Sequence, residues 1–104
     1  MIRNVSFNSL TVYAGESITV NIEASYPVFI EVYCFTTQPP PPKFAPCPDS
    51  GSHRLFVQQP FIFRTDRWTF ENNGYVEFKI IDADGDMDTY KIEIEGLQSS
   101  LPSN

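Results

Sequence analysis

Histidine, cysteine and glycine are scarce in this chain, and each shortage closes off a class of chemistry. One histidine, His53, beside two cysteines leaves too few nitrogen and sulfur donors for a closed tetrahedral zinc site. His53 lies close to Ser50 and Ser52, but the held third group and oxyanion donors of a hydrolytic centre find no candidates, so it reads as a solvated loop residue. The five glycines are scattered, which excludes a glycine-rich phosphate loop. Basic residues number seven against thirteen acidic ones, no two of them adjacent, and the net charge is −6. A nucleic-acid backbone needs clustered Lys and Arg, so that class of partner is excluded, and the acidity serves solubility. No apolar run approaches the ~18 residues of a membrane span. Met1-Ile2-Arg3-Asn4 lacks the order of a secretion signal. Two readings follow: a piece of a longer exported protein with Met1 added, or a product that does not use that route, such as a virion component.

What the chain does have is apolar alternation. Gly74–Gly96 places Val76, Phe78 and Ile80, then Tyr90, Ile92 and Ile94, at every second position around an Asp/Gly-rich break, which predicts two strands of a hairpin. Ile18, Val20, Ile22 and Ala24 alternate in the same way over 17–24, and 5–13 reads as a first strand broken near Asn8-Ser9. Val28–Phe35 is apolar on both faces: Val28, Ile30, Val32 and Cys34 on one, Phe29, Tyr33 and Phe35 on the other, with Glu31 the single interruption. A strand of that kind is covered on both sides. Arg54–Gln58 and Phe61–Arg64 predict short strands split by Pro60, again with apolar residues on both faces, Phe56 among them. Apolar spacing of three and four never accumulates, so no helix is predicted. With 104 residues, 41% of them hydrophobic and nine of them Phe, the chain makes one all-β domain over residues 1–97, with a flexible tail at 98–104.

Between the middle strands runs a proline-rich loop, 36–53, holding Pro39, Pro40, Pro41, Pro42, Phe44, Pro46 and Pro48. Four consecutive prolines project roughly 12 Å in the polyproline conformation. A stretch this long without regular structure is either functional or disordered. It either folds back over Phe29, Tyr33 and Phe35 or reaches a partner. Cys34 and Cys47 flank it, twelve residues apart, and a loop-closing disulfide contributing about 3 kcal/mol is the favoured reading over two free thiols.

Thr11–Ser25, TVYAGESITVNIEAS, resembles the opening of PKD-type and related immunoglobulin-like domains, and Asn72–Gly96, NNGYVEFKIIDADGDMDTYKIEIEG, looks like their closing strand pair. The central Trp-x-Phe-Gly-Asp-Gly signature of PKD domains is absent, with Trp68-Thr69-Phe70 at its place. The resemblance implies an immunoglobulin-like antiparallel β-sandwich of about seven strands. Such domains serve as spacers, adhesion modules or surface subunits of cells, enzymes and virions.

Two candidate sites remain. Asp82, Asp84, Asp86 and Asp88 alternate in the hairpin, a density of hard oxygen ligands that suits calcium. The EF-hand template fails, because Met87 stands where its glycine belongs, and a plain acidic turn is the favoured reading. Core parity requires an odd loop. A three-residue loop centred on Gly85 sets Lys79 against Lys91, whereas a five-residue loop over 84–88 sets Lys79 against Glu93, and the second is preferred on charge. The other candidate is a contact surface of Phe29, Tyr33, Phe35, Phe56, Phe44 and the four prolines. Together these observations predict a non-enzymatic interaction module without a cofactor. It would be a self-associating subunit or decoration of a virion or cell surface. The alternative is an accessory carbohydrate-binding or adhesion module, with Tyr26, Tyr33, Trp68 and Tyr75 as a stacking platform for sugars.

Overall fold

The computed structural model describes residues 1–37, 60–65, 70 and 72–97, together with the backbone of 44–46 and 51–55. It is an all-β sandwich. Nine strands lie among the described residues: β1 (Ile2–Phe7), β2 (Thr11–Tyr13), β3 (Ser17–Ala24), β4 (Val28–Thr37), β5 (Phe44–Pro46), β6 (Gly51–Leu55), β7 (Phe61–Arg64), β8 (Gly74–Ile81) and β9 (Met87–Glu95). Seven of them have four or more residues. The smaller sheet runs β1-β3-β7 and the larger β2-β9-β8-β4, with β5 and β6 both pairing along the far edge of β4. The two sheets face each other across one hydrophobic core. No helix among the described residues is long and apolar enough to cross a membrane.

The first strand is split where the sequence predicts. Asn8 ends β1 by bonding back to β3, its Nδ2 donating to Ser17 O at 3.1 Å and its Oδ1 accepting from Thr19 N at 2.9 Å. Ser9 Oγ then accepts from Thr11 N at 3.2 Å and redirects the chain into the other sheet. There β2 pairs with β9 in parallel, Val12 opposite Ile94. This is the one parallel pairing among the described strands, and it departs from the wholly antiparallel sandwich that was expected. It arises because one strand direction serves both sheets.

The core follows from period-two alternation. Ile18, Val20 and Ile22 face Val28, Ile30, Val32, Cys34, Val76, Phe78, Ile80, Ile92 and Ile94, all buried, with Val12 and Phe70 closing the ends. Ala24 and Tyr90 are only partly buried at its margin. Phe61 and Phe63 on β7 turn inward onto Phe78, with ring centroids 6.4 and 6.0 Å away. Ile62 between them is exposed, so apolar character on both faces of 61–64 reflects one surface isoleucine.

Part of the expected loop over 36–53 is strand. Phe35, Thr36 and Thr37 pair with Pro46, Ala45 and Phe44, and Val28–Val32 pair with Leu55–Gly51. The physical reason is the length of β4: its edge away from β8 would otherwise present ten residues of unpaired backbone. Pro46 is tolerated because the outer side of that edge needs no donor. His53 accordingly stands in β6 opposite Ile30, not in a loop. The strand predicted from residue 54 already begins at Gly51, and 56–58 lie outside the described residues. Pro39, Pro40, Pro41, Pro42, Cys47, Phe56, Trp68 and the tail at 98–104 lie outside the described residues. The expected Cys34–Cys47 bridge falls there through Cys47, while Cys34 itself faces the core.

Candidate functional site

The acidic hairpin loop is built around one buried carboxylate. β8 and β9 pair Ile81 with Met87, Ile80 with Asp88, Phe78 with Tyr90 and Glu77 with Lys91, which leaves a five-residue loop, Asp82 to Asp86. Parity and loop length agree with the sequence reading, but the loop sits two residues earlier than 84–88. In this register an acidic residue opposes a basic one, and the core pairs Phe78–Tyr90 and Val76–Ile92 meet face to face. The shift is held by Asp82. Its parity matches Phe78 and Ile80, so the strand carries it inward, and its side chain is fully buried. Asp82 Oδ1 accepts from the amides of Asp84 and Asp86, each at 3.0 Å. Asp82 N donates to Asp86 O, and Gly85, with φ of 86°, donates to Asp82 O, each at 3.0 Å.

This arrangement leaves Asp82 Oδ2 buried without a hydrogen bond from the rest of the described chain. It faces the α-ammonium of Met1, with which it ion-pairs. The same ammonium contacts Asp84 Oδ2, lies 3.6 Å from Asp86 Oδ2 and donates to Ser25 Oγ at 2.5 Å. Ser25 Oγ in turn donates to Asp84 Oδ2 at 2.7 Å. Asp82, Asp84 and Asp86 each offer one carboxylate oxygen, all within 4.8 Å of one another. Asp88, expected in this cluster, stands instead on β9, where its Oδ2 accepts from Tyr90 Oη at 3.2 Å.

Charge and hydration act in opposite directions here. Burial alone would push the Asp82 carboxyl up. The Met1 ammonium and the amides of Asp86 and Asp84 outweigh it and hold Asp82 below the ordinary 3.8. The same ammonium, with Ser25, holds Asp84 low. Lost hydration would lower the pKa of the Met1 amine, but Asp82 and Asp84 raise it from 8.0 to about 10. A depressed carboxyl stabilises the fold above its unfolded value and loses that contribution on acidification; a raised amine stabilises it below its unfolded value and loses that contribution as the pH climbs. In chelator, the thermal midpoint is therefore expected to be level between about pH 4 and 8 as far as this cluster is concerned, and to fall between pH 8 and 10. Acetylation of the Met1 amine should remove that alkaline fall. An unchanged fall in the acetylated chain would refute the assignment.

The second feature is the outer face of the larger sheet. Strand pairing aligns Phe29 with Ile81 and Met87 across β4, β8 and β9, and the next rows read Glu31–Lys79–Thr89, Tyr33–Glu77–Lys91 and Phe35–Tyr75–Glu93. The first row is apolar, with Phe29 43% and Met87 55% exposed. The aromatics of the other rows are half-buried by their neighbours. Phe35 stacks on Tyr75 with centroids 4.8 Å apart, Lys91 Nζ sits 4.4 Å from the Tyr75 ring centroid, and Lys79 Nζ 5.9 Å from that of Tyr33. Tyr33 Oη donates to Glu31 Oε1 at 2.5 Å, a bond that raises the tyrosine's pKa. The aromatic face of Val28–Phe35, interrupted at Glu31, thus continues across the sheet as one apolar row beside three mixed ones. Backbone pairing brings Phe44 and Pro46 of β5 to its edge, beside Thr37 and Phe35.

The described members of the sugar platform, Tyr26, Tyr33 and Tyr75, do not share one patch. Tyr26 precedes the start of β4, whereas Tyr75 pairs with Phe35 near its other end, a strand length of about 23 Å from Val28 at ~3.3 Å per residue. Of these three, Tyr33 and Tyr75 share a face, and Trp68 lies outside the described residues. The models of known protein families and the sequences of characterised proteins were compared with this chain, and none matches.

Proposed function

We propose that this chain is a non-enzymatic structural module that self-associates through the outer face of its larger sheet, as a subunit of an assembly at a virion or cell surface. The observation that carries this reading is the apolar row Phe29–Ile81–Met87 across three neighbouring strands, exposed at Phe29 and Met87 and half-buried at Ile81. Outer faces of small lone sandwiches are polar, and a contiguous apolar strip rimmed by charge is the composition of a contact surface. A second copy is the partner favoured by the charges. Glu31 and Lys79 oppose each other in one row and Glu77 and Lys91 in another, so the patch carries both signs. A two-fold interface needs such self-complementarity. The partial resemblance to immunoglobulin-like surface modules agrees with this role.

Sedimentation equilibrium at high micromolar concentration is expected to give a mass above that of the monomer. Phe29→Glu, which places a charge on the largest side chain of the apolar row, should weaken association by at least about tenfold, the loss of an aromatic contact residue. A monomer mass for the unaltered chain, or unchanged association in Phe29→Glu, would remove the proposal.

A further inference from the structure

We propose that Asp82, Asp84 and Asp86 form a divalent-cation site of the calcium class, for which the α-ammonium of Met1 is the competing occupant. Acidic side chains in a turn do not by themselves make such a site. Two further observations point to a ligand. The first is Asp82 Oδ2: its side chain is fully buried, it points into the cluster, and the ion pair with the Met1 ammonium is the one polar contact it has among the described residues. Once that amine leaves, the oxygen is a buried carboxylate oxygen without a partner, which is costly and calls for another cation. The second is that a cation is drawn there. The Met1 ammonium meets one oxygen from each of the three aspartates and Ser25 Oγ.

The oxygen geometry selects the class of ion. Ligands on opposite sides of calcium, each at about 2.4 Å, are separated by about 4.8 Å. The three carboxylate oxygens lie within 4.8 Å of one another, so all three fit one coordination sphere without moving apart. Ser25 Oγ, 2.7 Å from Asp84 Oδ2, supplies a neutral fourth oxygen. Asp84 and Asp86 are exposed, which leaves water to complete the six to eight ligands calcium takes. Magnesium, smaller and reluctant to shed water, fits a loose three-carboxylate cup less well. Zinc would find neither nitrogen nor thiolate. The loop is also preorganised, because Asp82 Oδ1 already holds the amides of Asp84 and Asp86 and leaves Oδ2 for the ion.

Competition with the amine supplies the test. Calorimetric titration with calcium chloride, with the thermal midpoint as a second readout, is run on the chain beginning at Met1 and on the same chain carrying two extra residues before Met1. The extension moves the ammonium out of the cluster. The extended chain is expected to bind one calcium ion at least about tenfold more tightly than the Met1 chain, in the millimolar-to-submillimolar range of small extracellular modules. Its midpoint should rise more with calcium than with magnesium. Asp84→Asn with Asp86→Asn, both exposed and so compatible with folding, should abolish the response. Asp82→Asn should do so too where it folds. Absence of a calcium response in the extended chain would overturn the proposal. So would an equal response in both chains, an equal response to magnesium, or a response that survives the double substitution.

Discussion

Phe78→Ala is expected to lower the unfolding free energy by about 3–5 kcal/mol, the range for truncating a buried aromatic. Phe78 is fully buried on β8, next to the centre of the larger sheet, and its ring is the point where the two sheets meet. Phe7 from β1 and Phe61 and Phe63 from β7 converge on it, with centroids 5.9, 6.4 and 6.0 Å away. The last two meet it edge-on, an arrangement that adds to area burial. These four rings come from three strands in two sheets, so none can move into the cavity without dragging its strand. Domains of this size lose roughly 4–8 °C of midpoint per kcal/mol, so a fall of more than about 10 °C should accompany the substitution. Urea denaturation provides the free energy. A loss under about 1 kcal/mol would show that the sheets do not close on this ring.

Gly74→Ala is expected to be nearly as damaging, for a different reason. A Cβ at Gly74 would stand 2.2 Å from the carbonyl oxygen of Phe35 and 3.0 Å from two carbons of the Phe70 ring. The first obstacle is backbone in the neighbouring strand, and it cannot turn aside as a side chain would. Gly74 pairs with both Thr36 and Ile94, so relief of the clash must open the ladder on one side or the other. Overpacking of this kind costs about 1–3 kcal/mol and occasionally more. Gly85→Ala supplies the internal control. Gly85 has φ of 86° with open space around it, so alanine there meets only the left-handed backbone penalty of about 1–2 kcal/mol. Gly74→Ala should therefore unfold at lower denaturant than Gly85→Ala, with faster amide exchange where β4 and β8 meet. The reverse order would contradict the close approach.

Asn72-Asn73-Gly74 reads as a turn in the sequence, yet Gly74 is the first residue of β8 and its smallness serves the approach of Phe35. The same letters serve either role, and local composition cannot separate them. What was legible followed from period-two burial. β3, β4, β8 and β9, the split of the first strand at Asn8-Ser9 and the inward set Ile18–Ile94 all rest on alternation, which is a local property. β5 was not legible and β6 only from Arg54 on, because what makes 44–46 and 51–53 strand is the open edge of β4, a demand set elsewhere in the chain. The hairpin register shows a middle case. Parity demanded an odd loop and charge ruled out Lys79 facing Lys91, but the final choice lay with Asp82, which binds two amides and is worth more than a surface pair. That residue was within reach of the sequence: it shares the parity of Phe78 and Ile80, and an aspartate on the inward side of a strand end is a candidate for a buried turn anchor. The outer face was legible along one strand only. Aromatics spaced along Val28–Phe35 cannot tell whether Tyr75, Lys79 and Lys91 lie across from them to cover their rings.

The strand that changes sheets at Asn8 also gives the domain a mechanical grain. β2 lies parallel to β9, joined by Ala14 N to Glu95 O at 2.8 Å and Glu93 N to Leu10 O at 3.0 Å. Tension applied through residue 1 and residue 96 draws these neighbours lengthwise in opposite directions. The bonds between them lie across that pull and must give way together, whereas a hairpin opened from its end yields one bond at a time. A module joined in series through its two ends would carry load along its strands and resist extension before either sheet opens.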